Sequence, residues 1–301
     1  MKEIYVGVDN GYGNTKNDKE VIQSGVKKLP NKPPIDTHVV EYNGDYYAVG
    51  GQKMDIQKSK TSNENTLILT MAMIAEKLKR LGVSIADIRL GLGLPLTRMG
   101  AEKNDFLEYF LRNRRLNFKY EGKSYSVYII SVDIFPQGYA AVVDRLDTFG
   151  TSTVVVDVGS WTIDILPIIE GQPDLAKCKS LSLGTITAMQ DINEALRQRF
   201  GEEADEAIIK EVMINGTSNI NQEYLQIIQS GLIGYVEDIM NQLRSLKFNM
   251  VLTNIIFIGG GASIIKHFSK ELGSNTTIIE DVNINAKGYE DIMRHKYKAV
   301  I

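Results

Sequence analysis

VGVDNGYGNTK, residues 6–16, starts as an apolar strand and ends in a tight polar turn carrying Asp9, Gly11, Gly13 and Lys16. The run at 3–9 predicts a buried strand stopped by Asn10-Gly11. Gly11 and Gly13 expose backbone N–H groups that can cradle a phosphate, and Lys16 can set a point charge on a phosphate oxygen. Asp9 would repel that phosphate, so its expected role is to hold a hydrated Mg2+, which prefers carboxylates and water. Taken alone, the stretch also reads as an ordinary β-turn with a solvated lysine. It lacks the G-x-x-x-x-G-K-[ST] order of a P-loop and the third glycine of a dinucleotide fingerprint. A different phosphate-binding fold is needed.

The pattern returns in VVVDVGSWTID, residues 154–164, where valines end in Asp157 and are followed by Gly159, Ser160 and Thr162. Two such turns, each after a buried strand, predict a pair of facing phosphate clamps with two metal-orienting carboxylates. They also predict a duplicated α/β core. A third stretch, FIGGGAS at 257–263, removes every side chain at Gly259, Gly260 and Gly261, so a flat ring or ribose can approach the backbone. The same glycines also suit a helix entry with unusual dihedrals.

Between these stretches, Asn43-Gly44 separates two β-rich runs and predicts a hairpin. Leu67, Ile68, Met71, Ala75 and Leu78 recur at helical spacing over 64–81. DIRLGLGLPL predicts a strand, then a charged helix over about 101–115, then a hairpin turning near Gly122. A helix carries Met189, Ile192, Leu196 and Phe200 on one face. A longer one over about 222–246 has Leu225, Ile228, Leu232, Val236, Ile239 and Leu243 as its inward stripe. The stretch that comes nearest to a linker is 147–152.

The chain's 301 residues suffice for one large domain or two lobes. A net charge of -3 argues against a surface that coats nucleic acid directly, though not against a protein adaptor that holds DNA. The single cysteine, Cys178, rules out an internal disulfide, and three scattered histidines argue against zinc. No apolar stretch approaches the roughly 20 residues of a membrane span, and the N-terminus lacks the parts of a signal peptide. The expectation is a cytoplasmic protein.

On these motifs the chain resembles the actin–chaperone–sugar-kinase ATPase superfamily. DNGYGNTK is similar to its first phosphate loop, DVGSWTID to its second and IGGGAS to its adenosine loop. FPQGYAA (135–141) and NINAKGYEDIM (283–293) resemble its two interdomain connectors. The YNGDYYAVGGQ region and the chain length resemble bacterial actin-like plasmid-segregation proteins of the ParM/StbA/Alp group. The resemblance implies an actin-like (ribonuclease H-like) α/β fold with a duplicated core and two lobes around a nucleotide cleft. Lobe I would span 1–150, with a small subdomain at about 30–80, completed by about 285–301. Lobe II would span 151–284, with a helical subdomain at about 185–250.

The implied cofactors are ATP or GTP with Mg2+. Asp9 and Asp157 would orient the metal through water, and Lys16 would meet the β-phosphate. Backbone groups around Gly11, Tyr12, Gly13, Asn14 and Thr15, and around Gly159, Ser160, Trp161 and Thr162, would hold the phosphate tail. Gly259, Gly260 and Gly261 would line the adenosine site. Gln137 stands at the connector position that orients the attacking water, where several ParM proteins carry Glu. A glutamine orients water but is no base, which implies slow hydrolysis. Trp161 also reads as a packing residue, Asp164 as hydrogen-bonding support for its loop, and the basic run 112–119 as a solvated helix end.

The superfamily hosts kinases, chaperones and filaments, so fold alone does not assign function. A seventy-kilodalton chaperone would need a further substrate domain, and iron–sulfur activases need several cysteines. A sugar or acid kinase needs a carboxylate base, for which Asp144 is the candidate. A membrane-bound actin would show an amphipathic anchor, and YEDIMRHKYKAVI is a poor one. The implied function is a polymerising ATPase, partnered by its own copies and by a DNA-binding adaptor at a centromere-like site.

Overall fold

In the computed structural model, the described residues are 2–51, 61, 63–270 and 272–298. Gln52, the last residue of the YNGDYYAVGGQ stretch, part of the 30–80 range and the final three residues of YEDIMRHKYKAVI lie outside them. The apolar opening forms β1 (Lys2–Asn10), which turns into β2 (Asn14–Lys16). There follow β3 (Val21–Gln23), β4 (Val26–Leu29), β5 (Val39–Tyr42), β6 (Asp45–Val49), helix α1 (Asn65–Arg80) and β7 (Ile85–Leu94). Helix α2 (Leu96–Arg112), β8 (Arg115–Tyr120) and β9 (Lys123–Pro136) complete this half. Among the described residues its strands form one sheet in the order β3-β2-β1-β7-β9-β8-β5-β6-β4. At its centre β1, β7 and β9 run parallel. Val6, Val8, Ile88, Leu90 and Leu92 are fully buried there, as near-continuous apolar runs in parallel strands require.

A turn of 3-10 helix at Val143–Thr148 precedes the second half, which contains β10 (Ser152–Val158), β11 (Ile163–Ile169), β12 (Gln172–Pro173), β13 (Lys179–Leu181) and α3 (Thr185–Phe200). Helices α4 (Glu206–Asn215) and α5 (Gln222–Ser245), strand β14 (Asn254–Ile258), α6 (Ala262–Phe268) and β15 (Thr276–Ile278) follow. This sheet has the order β12-β11-β10-β14-β15, with β13 also on β11. Helix α7 (Ile284–Lys298) then packs on β1 and β7 of the first sheet. The contacts divide the chain into two compact units, Met1–Asp144 with Asn283–Ile301, and Arg145–Val282.

Each unit opens with the same device. β1 pairs antiparallel with β2 and parallel with β7; β10 pairs antiparallel with β11 and parallel with β14. Asp9 faces Lys16 across the first hairpin and Asp157 faces Asp164 across the second. The loops 11–14 and 159–162 therefore have equal length and equal register, which is the duplication the two motifs announced.

Several elements follow the sequence closely. Asn43 (φ 52°) and Gly44 (φ 83°) form the left-handed turn between β5 and β6. All six expected stripe residues of α5 are buried. Met189, Ile192 and Leu196 are buried on α3, with Phe200 partly so.

Others differ. The helix expected over 101–115 begins at Leu96, directly after Pro95, whose φ of -53° and ψ of 138° place it just outside the first turn. It stops at Arg112, and Asn113 Nδ2 closes the end by donating to the Tyr109 carbonyl at 2.8 Å. The basic run 112–119 is consequently not a helix end. It is mostly β8, with Leu116, Phe118 and Tyr120 alternately buried and Arg115, Asn117 and Lys119 outward. Helix α4 had no counterpart in the reading.

Helix α1 departs furthest. Five inward residues were expected, yet twelve are buried, including Lys77. Its ammonium meets Glu290 of α7 and lies 3.3 Å from Asp18. Glu290 also accepts the Gly7 N–H at 3.0 Å, and burial pushes its carboxyl above the ordinary carboxylate range. Gly7 is obligatory here, because a Cβ would fall 2.0 Å from the Ala286 carbonyl oxygen. Lys77→Met would strip Glu290 of its buried counter-charge. Urea unfolding should show a loss of about 3–5 kcal/mol; a loss under about 1 kcal/mol would mean the pair carries little.

Candidate functional site

The register of β1 against β2 puts Asp9 and Lys16 on one face of the first hairpin. Asp9 is 4% exposed, and Lys16 Nζ stands 3.7 Å from its Oδ2. Gln137 Nε2 donates to Asp9 Oδ1 at 2.6 Å. Gln137 arrives there because β9 lies beside β7 and ends at Pro136, after which the Gln137 N–H donates to the Leu94 carbonyl at 2.9 Å. It begins a turn and not a helix. A Cβ on Gly93 would meet the Tyr289 hydroxyl at 1.9 Å and Gln137 Cγ at 3.0 Å, so this glycine makes room for both side chains. The Gly138 N–H donates to Asn285 Oδ1 of α7 at 2.9 Å, so the two connector-like stretches touch. At the loop tip, the Tyr12 hydroxyl accepts from Arg98 Nη1 at 2.5 Å, and Arg98 Nε also donates to Glu102 at 2.5 Å.

The second loop is held by the start of α3. Thr185 N–H donates to the Gly159 carbonyl at 3.1 Å, Ile186 N–H to Ser160 at 3.0 Å and Gly184 N–H to Trp161 at 3.1 Å. No cis peptide occurs among the described residues, and in a trans peptide the C=O and the following N–H point in opposite directions. Fixing three successive carbonyls on α3 thus turns three successive N–H groups, those of Ser160, Trp161 and Thr162, away from it. A row of parallel donors is an anion cradle. Gly184 permits the approach: a Cβ would lie 2.3 Å from the Ser160 oxygen and the Trp161 carbonyl carbon.

Asp164 supports this loop as expected, its Oδ2 accepting from Thr162 Oγ1 at 3.2 Å. Trp161 is half-buried, and its Nε1 has no hydrogen-bond partner among the described residues.

The triple glycine packs directly on the end of β10, just before this loop. A Cβ on Gly259 (φ +89°) would meet Asp157 Oδ1 at 2.3 Å, and one on Gly261 would meet Val158 Cγ1 at 2.4 Å. Close packing accounts for those two glycines. At Gly260 an added Cβ meets nothing within 4 Å.

Asp9, Lys16, Gln137 and residues 11–15 therefore gather in one unit, while Asp157, residues 159–162 and Gly259, Gly260 and Gly261 gather in the other. Asp144, the alternative base, is exposed on the 3-10 turn. The fold also joins His38, Glu76 and Glu121, with ligand atoms within 4.8 Å. Lys79 Nζ already supplies the cation there, 2.7 Å from Glu121 and 3.7 Å from Glu76. Gly184, Thr185, Ile186, Asn285 and Arg98 escaped the sequence reading. Only Gly184-Thr185, a small residue opening an apolar-periodic run, gave a local signal.

Each hairpin by itself offers part of what a magnesium–phosphate group needs. In the first, Asp9, next to the last residue of β1, has the Lys16 cation beside it; in the second, Asp157, next to the last residue of β10, precedes the row of amides at 160–162. Carboxylate oxygens suit Mg2+. Among the described residues no helix is long and apolar enough to cross a membrane.

Residues 7–139 match the family model described as the N-terminal domain of actin like proteins. Residues 155–287 match that of the archaeal actin homologue MreB-like, C-terminal. A search of curated proteins found no match. Among solved structures, the archaeal actin homolog Ta0583 in complex with ADP superposes with a TM-score of 0.79 at 22% identity, over 97% of this chain and 99% of that one. Bacillus thuringiensis ParM with ATP gives 0.75 at 16%, over 99% and 100%. The Alp12 filament structure gives 0.74 at 18%, over 99% and 100%. With actin-type family models matching residues 7–139 and 155–287, most of the chain between them, and with the fold shared by ParM and Alp12, the chain is an actin-like protein.

Proposed function

We propose that this chain hydrolyses ATP and assembles with its own copies into filaments, in the cytoplasm, to move plasmid DNA through an adaptor protein. The observation that carries the reading is the second loop, whose carbonyls are anchored on α3 so that three amides point together away from it. The equal register of the first hairpin supports a matching role there, both loops serving one nucleotide. Related structures hold ADP or ATP, which favours adenine over guanine.

In this reading, residues 1–150 with 285–301 form one lobe and 151–284 the other. Lys16 contacts the β-phosphate, amides of 11–15 and 159–162 hold the tail, and Gly259, Gly260 and Gly261 border the adenosine. Asp9 and Asp157 hold Mg2+ through water, and the metal's contribution is to neutralise charge on the phosphate oxygens. Gln137 donates its Nε2 to Asp9, which leaves its Oε1 to accept from and orient the attacking water. A head-to-tail contact whose rotation does not close into a ring gives an open filament when it is repeated. The net charge of -3 supports a DNA link through an adaptor and not through the chain's own surface.

Light scattering with ATP and Mg2+ should grow at tens of micromolar protein. A flat signal, with phosphate transferred instead to a small sugar or acid, would favour a kinase. Gln137→Ala should slow phosphate release about 10- to 100-fold and lengthen filament lifetime. Unchanged release would remove Gln137 from the mechanism.

A further inference from the structure

The geometry points to Ser24 as the positioning residue of the first phosphate loop, an assignment that rests on the nucleotide reading above. Ser24 follows β3 and is 0% exposed. Its backbone N–H donates to the Gly13 carbonyl at 3.0 Å, and its hydroxyl donates to the Gly11 carbonyl at 2.6 Å. With that proton committed, Ser24 Oγ accepts from the hydroxyl of Thr15, 2.8 Å away and equally buried. The result is a directed chain, Thr15 to Ser24 to Gly11, on the side of the hairpin away from Asp9 and Lys16.

The trans-peptide rule gives this chain its meaning. Holding the carbonyls of Gly11 and Gly13 on Ser24 turns the N–H groups of Tyr12 and Asn14 away from it. One serine thereby does for the first loop what the start of α3 does for the second. Asn10 adds to the same face by donating to Thr70 at 3.2 Å, and Thr70 in turn donates to the Thr66 carbonyl at 2.7 Å. These bonds brace the strand end and leave the two glycine carbonyls to Ser24.

Ser24→Ala removes one oxygen and little volume. Calorimetry with MgATP and with adenosine, on the full chain, separates aiming from mere support. The variant should bind MgATP about tenfold more weakly, the worth of one hydrogen bond to a charged group, with adenosine affinity unchanged. Thr15→Val should act in the same direction but more weakly. The double variant should be no worse than Ser24→Ala, because Thr15 acts through Ser24. MgATP affinity equal to wild type, or equal losses for both ligands, would overturn the assignment of Ser24 alone. A wild-type chain that takes up neither ligand would overturn the nucleotide reading and this assignment with it.

Discussion

Asp157→Ala should abolish turnover, cutting phosphate release by about 100-fold or more, while the protein stays folded. The rate follows from the proposed role: without that carboxylate the metal loses its anchor on the second strand end, and ligand-shell losses of this kind run to about 100-fold. The stability follows from the position. Asp157 is only half-buried near the end of β10. Shortening it opens little core volume, so the unfolding free energy should change by under about 1 kcal/mol. A phosphate-release assay beside a urea titration checks both. Surviving turnover in a folded variant would show that the metal is held elsewhere.

The second large effect is expected at a residue that touches no ligand. Gly184→Ala should weaken ATP binding by about 100-fold or more. Backbone conformation is not the cause, since φ at Gly184 is -69° and alanine tolerates that value. The cause is contact: the new methyl would sit 2.3 Å from backbone atoms of Ser160 and Trp161, and backbone cannot step aside as a side-chain end can. Loop and helix must separate, and the carbonyls of Gly159, Ser160 and Trp161 lose their donors. Two charge-assisted hydrogen bonds to phosphate, at roughly 1.5–3 kcal/mol each, account for that factor. Gly234→Ala on α5 is the matched control, because a Cβ there meets nothing within 4 Å. Equal affinities in both variants would show that α3 does not set the loop.

How much of this was legible in the sequence depends on how local the cause is. The hairpins after β1 and β10 were readable because a strand, an aspartate and a glycine turn are all written within eleven residues. The stripe of α5 was readable because one apolar face explains its burial. Helix α1 was not, because neighbours cover most of its surface, and no periodicity announces a buried lysine whose partner, Glu290, lies 213 residues away. Strand β8 was misread because charges at 112, 114 and 115 drew attention from the alternation of Leu116, Phe118 and Tyr120.

The site divides along the same line. Asp9 facing Lys16 is a seven-residue relation, whereas Gln137 reaching Asp9 spans 128 residues and depends on β7 lying between their strands. The glycines at 259 and 261 were assigned to ligand access on composition. Packing against Asp157 and Val158 requires glycine at both as well, and only coordinates display it.

The central claim is that the amide cradles of both hairpins serve one nucleotide. Titration of MgATP into the full-length chain by isothermal calorimetry tests it most directly, because stoichiometry distinguishes a shared site from separate ones. The account predicts one ATP per chain, with affinity lost both in Lys16→Ala and in Gly184→Ala. Two independent sites per chain, or no heat with either ATP or GTP, would contradict it.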